Sequence, residues 1–222
     1  MNRRKNIITK LLKRDKRWNL KKNGGLKTQY ISKEYQDKLA VLTAQDIVDY
    51  WYSDKMKKSW FNSTPELDML IKKEYEFVWE SALRGWLTDW EKTAIGCLAL
   101  AIIFDQFPLN MFRGKAKSFQ TEKNAVKVTK LAIEQGFLAQ LKTEQLAFLI
   151  MPLMHSENLT DQDLSVELFK KYNLTENLKF AEHHREIVKT YGRFPHRNQI
   201  LDRKNSKNEQ NYLAIQPPLN GY

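Results

Sequence analysis

Thr93-Ala94-Ile95-Gly96-Cys97-Leu98-Ala99-Leu100-Ala101-Ile102-Ile103-Phe104 runs for twelve residues without a charge. Thr88-Asp89 upstream supplies a helix start, and from Ala94 onward the segment is apolar all round. A helix without a polar face must be covered on every side, so this one is expected at the centre of the protein. Twelve residues fall short of the roughly 20 needed to span a bilayer. The same holds for Gln145–Ser156, a second uncharged run of equal length. No integral membrane segment is expected.

The pattern on either side is helical too. Thr43 followed by Asp46 is a helix start, as is Thr64-Pro65-Glu66, with a capping hydroxyl, Pro at the first position and an acid in the first turn. Leu67, Leu70, Ile71, Tyr75, Val78, Trp79 and Ala82 then repeat at three and four residues, and Gly85 supplies the stop. Further helices are predicted over 118–135, 143–151, 160–171, 175–191 and 206–214. No alternating stretch with hairpin turns argues for a sheet, and short connections favour antiparallel neighbours. The expected fold is all-α, with seven to nine mostly antiparallel helices around one central apolar helix. Residues 43–215 form a single domain in this reading, and 216–222, with Pro217-Pro218, an extended tail. Trp79, Trp86 and Trp90 fall at helical spacing as core residues, and Cys97 reads as a buried thiol.

The net charge of +11 is unevenly placed. Residues 1–42 hold thirteen Lys/Arg against three Asp/Glu, and the remaining 180 hold twenty-four against twenty-three. A nearly neutral body argues against a DNA-binding domain, whose basic stripe lies on the folded surface. The N-terminal arm, with Ile7, Ile8, Leu11 and Leu12 among Arg and Lys, is basic and amphipathic. It is the one place for contact with nucleic acid or a membrane surface; its terminal position favours a partly disordered extension. It has neither the apolar run nor the small-residue cleavage site of a secretory signal, so the cytoplasm is the expected compartment.

Three polar blocks interrupt the apolar pattern. Asp105-Gln106-Phe107-Pro108-Leu109-Asn110-Met111-Phe112-Arg113-Gly114 follows the central helix, which Pro108 is expected to stop. An Asp at a helix C-terminus opposes the macrodipole, and Arg113 is its expected partner. Pro152-Leu153-Met154-His155-Ser156-Glu157 ends a second apolar helix. Gly192-Arg193-Phe194-Pro195-His196-Arg197-Asn198 follows a helix carrying His183-His184-Arg185. All four histidines lie in or beside these blocks.

With Tyr50-Trp51-Tyr52 and Trp60-Phe61, the three blocks resemble the signature of the bacterial family called domain of unknown function 924. The resemblance spans about residues 45–213 and implies a tetratricopeptide-like helical fold. It implies no activity. The chain departs from the pattern at Leu109, where Arg is usual, at Glu122, where Asp is usual, and at Asp202, where Gly is usual. Losing the Arg beside Asn110 removes one cation from the expected site.

Three readings of the blocks stay open. In the first they converge on a pocket that binds, and by extension hydrolyses, a small anionic metabolite. Asp105, His155, Glu157, His184 and His196 would supply acid–base capacity, and Arg113, Arg193 and Arg197 planar donors for carboxylate or phosphate. Gln106, Asn198 and Ser156 would orient the ligand. In the second, the same groups pair with one another and fix loops where helices end. In the third, the helices form an interaction module with a protein partner. Adjacent His183 and His184 diverge by about 100° on a helix and no His-Glu-x-x-His spacing occurs. No metal and no cofactor is expected.

Overall fold

The computed structural model describes residues 33–215. The amphipathic segment expected near the N-terminus and the extended tail expected over 216–222 lie outside the described residues. Within them, every regular element is helical: α1 (Lys33–Val41), α2 (Ala44–Trp51), α3 (Asp54–Lys57), α4 (Pro65–Leu83), α5 (Ala94–Met111), α6 (Glu122–Glu134), α7 (Thr143–His155), α8 (Leu159–Lys171), α9 (Thr175–Tyr191) and α10 (Lys207–Ile215). The one-turn α3, too short to show an apolar period, and α1, which lies inside the basic N-terminal region, carry the count past the expected range.

Several helices begin where side chains take up their unpaired N–H groups. At α2, Thr43 Oγ1 accepts from the Asp46 N–H at 3.2 Å while the Asp46 carboxylate accepts from the Thr43 N–H at 2.7 Å. Thr64 Oγ1 accepts from Leu67 N–H ahead of α4, and Thr93 Oγ1 accepts from Gly96 N–H at 3.1 Å ahead of α5. Gly96 is required there. A Cβ at that position would lie 1.9 Å from the Trp90 carbonyl oxygen, so the 3-10 turn Thr88–Lys92 can lie this close only to a glycine.

The central helix is α5. It packs against α2, α4, α6 and α7, and residues 96–108 are buried without a break. By length and composition α5 would suffice to cross a membrane, but 89% of it is buried inside the protein. Pro108 does not stop it. The Phe107 N–H reaches back five residues to the Ile102 carbonyl, which opens one wider π turn over Ile102–Gln106 and lets the chain pass Pro108 as helix to Met111. Pro152 likewise lies inside α7, which runs to His155 and not to residue 151.

Around α5 the aromatic rings of the early helices interlock. The Trp51 ring meets Phe148 edge-on at 5.4 Å, Trp60 meets the same ring at 4.6 Å, and the Trp60 indole N–H donates to the Trp51 carbonyl. Trp79 is buried, while Trp86 and Trp90 are half-buried against the core. Cys97 is fully buried, and burial pushes its thiol up to about 11, where it is no nucleophile. The pair α8 and α9 is antiparallel, with Asp163 near the start of one joined to Arg185 near the end of the other. A second, small cluster of Ile187, Val188 and Phe194 joins the end of α9 to Tyr212 on α10.

Candidate functional site

The site begins with the missing N–H of Pro108. In an unbroken helix that group would serve the Phe104 carbonyl. Here the Phe104 carbonyl accepts from the Thr121 hydroxyl at 2.7 Å, and Thr121 Oγ1 accepts in turn from the Trp79 indole N–H at 3.0 Å. This relay ties the start of α6 to the π turn that carries Asp105 and Gln106, both buried.

Asp105 meets the last residue of α7. Its two carboxylate oxygens lie 2.8 and 3.0 Å from His155 Nδ1. A carboxylate only accepts, so Nδ1 is the nitrogen that donates to it. Gln106 Nε2 donates to the same carboxylate and approaches Met151 Sδ at 3.3 Å. The expected Asp105–Arg113 pair does not form. Arg113 donates to Asp68 on α4 at 2.7 Å, and Asn110 and Ser63 complete the Asp68 shell at 2.8 and 2.7 Å. Arg113 lies eight residues beyond Asp105 and past the end of α5 at Met111, where its guanidinium turns to α4, so Arg113 leaves the site.

Arg197 comes from the 3-10 turn Pro195–Arg197 and is 2% exposed. Its Nη2 donates to the His155 carbonyl at 3.0 Å, satisfying an acceptor that the end of α7 leaves open. Its Nη1 donates to Glu122 Oε2 at 2.8 Å. The guanidinium lies between the rings of Phe119 and Phe194, 4.6 and 4.4 Å from their centroids. Burial raises the Glu122 carboxyl above the usual range; Arg197 and His155 pull it down, and Asp105 and Glu157 push it up.

These groups line a cleft of about 210 Å³, counting the part open to solvent. Phe104, Leu109 and Phe119 make its apolar wall, and Asp105, Glu122, His155 and Arg197 its polar one. The Ser118 hydroxyl at the rim is committed to the Lys115 carbonyl at 2.6 Å. Most of that space is open to solvent, and its enclosed part is about the size of a single water molecule, so a larger group enters only if a lining side chain moves.

His184 stands behind the cleft on α9, its ring 6.5 Å from that of His155 and edge-on to Phe194 at 5.4 Å. Nδ1 donates to the Phe180 carbonyl at 2.8 Å, while Nε2 is buried without a hydrogen-bond partner among the described residues. Burial holds this imidazole down to about 3. His196 packs on Phe194 and is held down to about 4 by burial and by Arg197.

The other expected site residues close on one another. Glu157 accepts from the Phe194 N–H at 2.8 Å and takes Arg203 in a two-pronged pair at 2.7 and 2.9 Å. Arg193 grips Glu209 on α10 in the same way, at 2.7 and 2.9 Å, and Asn198 donates to Asn205 and Glu209. The Ser156 hydroxyl donates to Asp161 in the first turn of α8. These contacts hold loops; none of these groups lines the cleft. Among the described residues, no group of three or more His, Cys, Asp and Glu is placed to hold a metal ion.

Sequence reasoning missed Glu122 as a site residue, though it had marked both Glu122 and Leu109 as departures from the family pattern, and both line the cleft. The third departure, Asp202, has φ 52, a left-handed conformation that glycine enters without steric cost. Asp68 and Glu209 were also missed, since acids in a first helical turn read as ordinary caps.

Residues 47–216 match the model of a family described as "Bacterial protein of unknown function (DUF924)", and residues 1–42 match a second model, "Protein of unknown function (DUF2986)". A solved structure of a protein of unknown function from Agrobacterium tumefaciens is similar at 33% identity and a TM-score of 0.74, over 78% of this chain and 97% of that one. No curated protein matches. The match over most of the chain settles the family: this protein belongs to the bacterial DUF924 family.

Proposed function

We propose that the cleft between α5, α6 and α7 receives a small anionic group, with Arg197 carrying the charge and His155 exchanging a proton with the bound molecule. The observation that carries this reading is the Asp105–His155 pair at 2.8 Å, set in the cleft wall beside Arg197. A carboxylate held on one ring nitrogen fixes the orientation of an imidazole, the side chain best suited to acid–base work near neutral pH, and this suits binding and then hydrolysis of a small phosphorylated or carboxylated metabolite. Melting with inorganic phosphate and small carboxylates tests it. A ligand at 100 times its Kd adds about 2.7 kcal/mol, which raises Tm by roughly 5–10 °C in a domain of this size. A broad panel that moves nothing would count against the reading.

One observation favours a second reading, a tetratricopeptide-like interaction module whose ion pairs are purely structural. Glu157, Arg193, Asn198 and Glu209 are spent on holding the loop after α9. Under this reading His155→Gln would change stability but no ligand response.

A further inference from the structure

We infer that Glu122 occupies the anion position of the cleft in the ligand-free protein, and that an arriving anion displaces it from Arg197 and leaves it protonated. This rests on the reading of the cleft as an anion site and states how that site is regulated.

The argument starts from the limited reach of Arg197. With its guanidinium clamped between Phe119 and Phe194, the side chain cannot swing out to meet a ligand. One prong, Nη2, is committed to the His155 carbonyl at the end of α7. The other, Nη1, faces Glu122, whose side chain is 20% exposed against 2% for Arg197. The cleft is lined by both. An anion entering it therefore meets a cation that already holds a carboxylate, and the more accessible member of that pair is the one able to leave.

Charge decides the state in which it leaves. Glu122 is faced by Asp105 from α5, His155 from α7, Glu157 from the loop after α7 and Arg197 from the turn after α9. Two of these four are acids. If the ligand takes Arg197 while Glu122 stays ionised, the displaced carboxylate is left half-buried beside Asp105, Glu157 and the ligand's own negative charge. Like charges at such spacing do not all ionise. Burial already biases Glu122 toward its neutral form, and loss of Arg197 adds to that bias. The exchange takes in one anion and one proton, with Glu122 going from carboxylate to carboxylic acid; a monoanion then leaves the charge of the site unchanged, and a dianion such as sulfate leaves it one unit more negative.

The consequence is binding that weakens as pH rises. Sulfate is the probe, because it does not itself titrate between pH 5.5 and 8. Calorimetry in two buffers of different ionisation enthalpy gives the protons taken up per sulfate. The wild-type protein should take up as much as about one proton, and its affinity should fall by up to about tenfold per pH unit. Glu122→Gln should bind sulfate at least about tenfold more tightly at pH 7.5, with the uptake reduced by the Glu122 share. An infrared difference spectrum of the wild type should gain a protonated-carboxyl band on adding sulfate, which Glu122→Gln lacks. Sulfate bound by the wild type without proton uptake overturns the inference and leaves the anion site standing. Equal uptake in Glu122→Gln assigns the proton to His155 and overturns it too. Binding by Glu122→Gln alone supports it in its strongest form, whereas no sulfate or phosphate binding by either protein sinks the anion site and the inference together.

Discussion

Arg197 is the residue on which most of the polar architecture turns. It joins α7, α6 and the turn after α9 through one buried guanidinium. Removing it leaves Glu122 without its counter-charge and the His155 carbonyl without a donor. Breaking a buried pair from one side costs about 3–5 kcal/mol, so Arg197→Ala should lower stability by that order. Lys142→Ala, at an exposed position that keeps its backbone N–H bond to Gln145, should stay within about 0.5 kcal/mol. Urea unfolding of both variants checks this, and equal midpoints would deny Arg197 a buried role. The burial of Arg197, Asp105 and His155 was legible because charged side chains among aromatics and Pro are expected to be partly buried. Their partners were not. Glu122 lies seventy-five residues from Arg197, and nothing local signals the pairing. Arg113, the local candidate for Asp105, was taken instead by Asp68 from a helix that sequence spacing cannot place.

At the scale of elements, helix existence was legible and helix ends were not. The expectation that Pro108 stops the central helix failed because the cost of proline is a lost donor, and the fold replaces that donor with Thr121. This gives a coupling to measure. Thr121→Val should cost about 1–3 kcal/mol, since it strands both the Phe104 carbonyl and the Trp79 indole N–H. Pro108→Ala restores a backbone donor for Phe104, so Thr121→Val should cost less in that background. A double-mutant cycle should show a coupling of about 1 kcal/mol, and full additivity would mean the relay does not stand in for proline. The end of α9 and the turn after it carry a second testable property. His184 and His196 are held down to about 3 and about 4, below the ordinary 6.5. Between these values the unfolded chain binds more protons than the folded one, so stability is full above pH 6.5 and falls as pH drops below it. Each group contributes a slope of up to about 1.4 kcal/mol per pH unit. Urea midpoints at pH 7 and pH 5 should show the loss, and His184→Gln should reduce it to the share of His196; a flat wild-type profile would mean that both rings accept a proton in place.

Across the whole molecule, charge and function part company. The excess of basic residues belongs to positions 1–42, whereas the cleft is built from a nearly neutral body and uses one buried arginine. Net charge therefore says nothing about the site. The all-α class and the central place of α5 were legible because a helix with no polar face has one solution, to be surrounded. The division expected after residue 42 was drawn from charge, and charge does not see packing. Inside that basic region α1 lays Leu39 into the main core at 8% exposure and stacks Tyr35 on Phe77 with ring centroids 5.0 Å apart. Stability should then depend on which side of α1 the chain is cut. A protein beginning at residue 43 loses the burial of Leu39 and the ring stack, whereas one beginning at residue 33 keeps both. Burying one leucine is worth about 1.5–3 kcal/mol, partly offset by ordering a short helix. The shorter protein should be less stable than the longer by about 1–2 kcal/mol, a Tm lower by roughly 2–8 °C. Scanning calorimetry of the two truncations side by side measures the difference directly. Identical melts would show that α1 rests on the core without stabilising it, and that the boundary drawn from charge is also the boundary of cooperative folding.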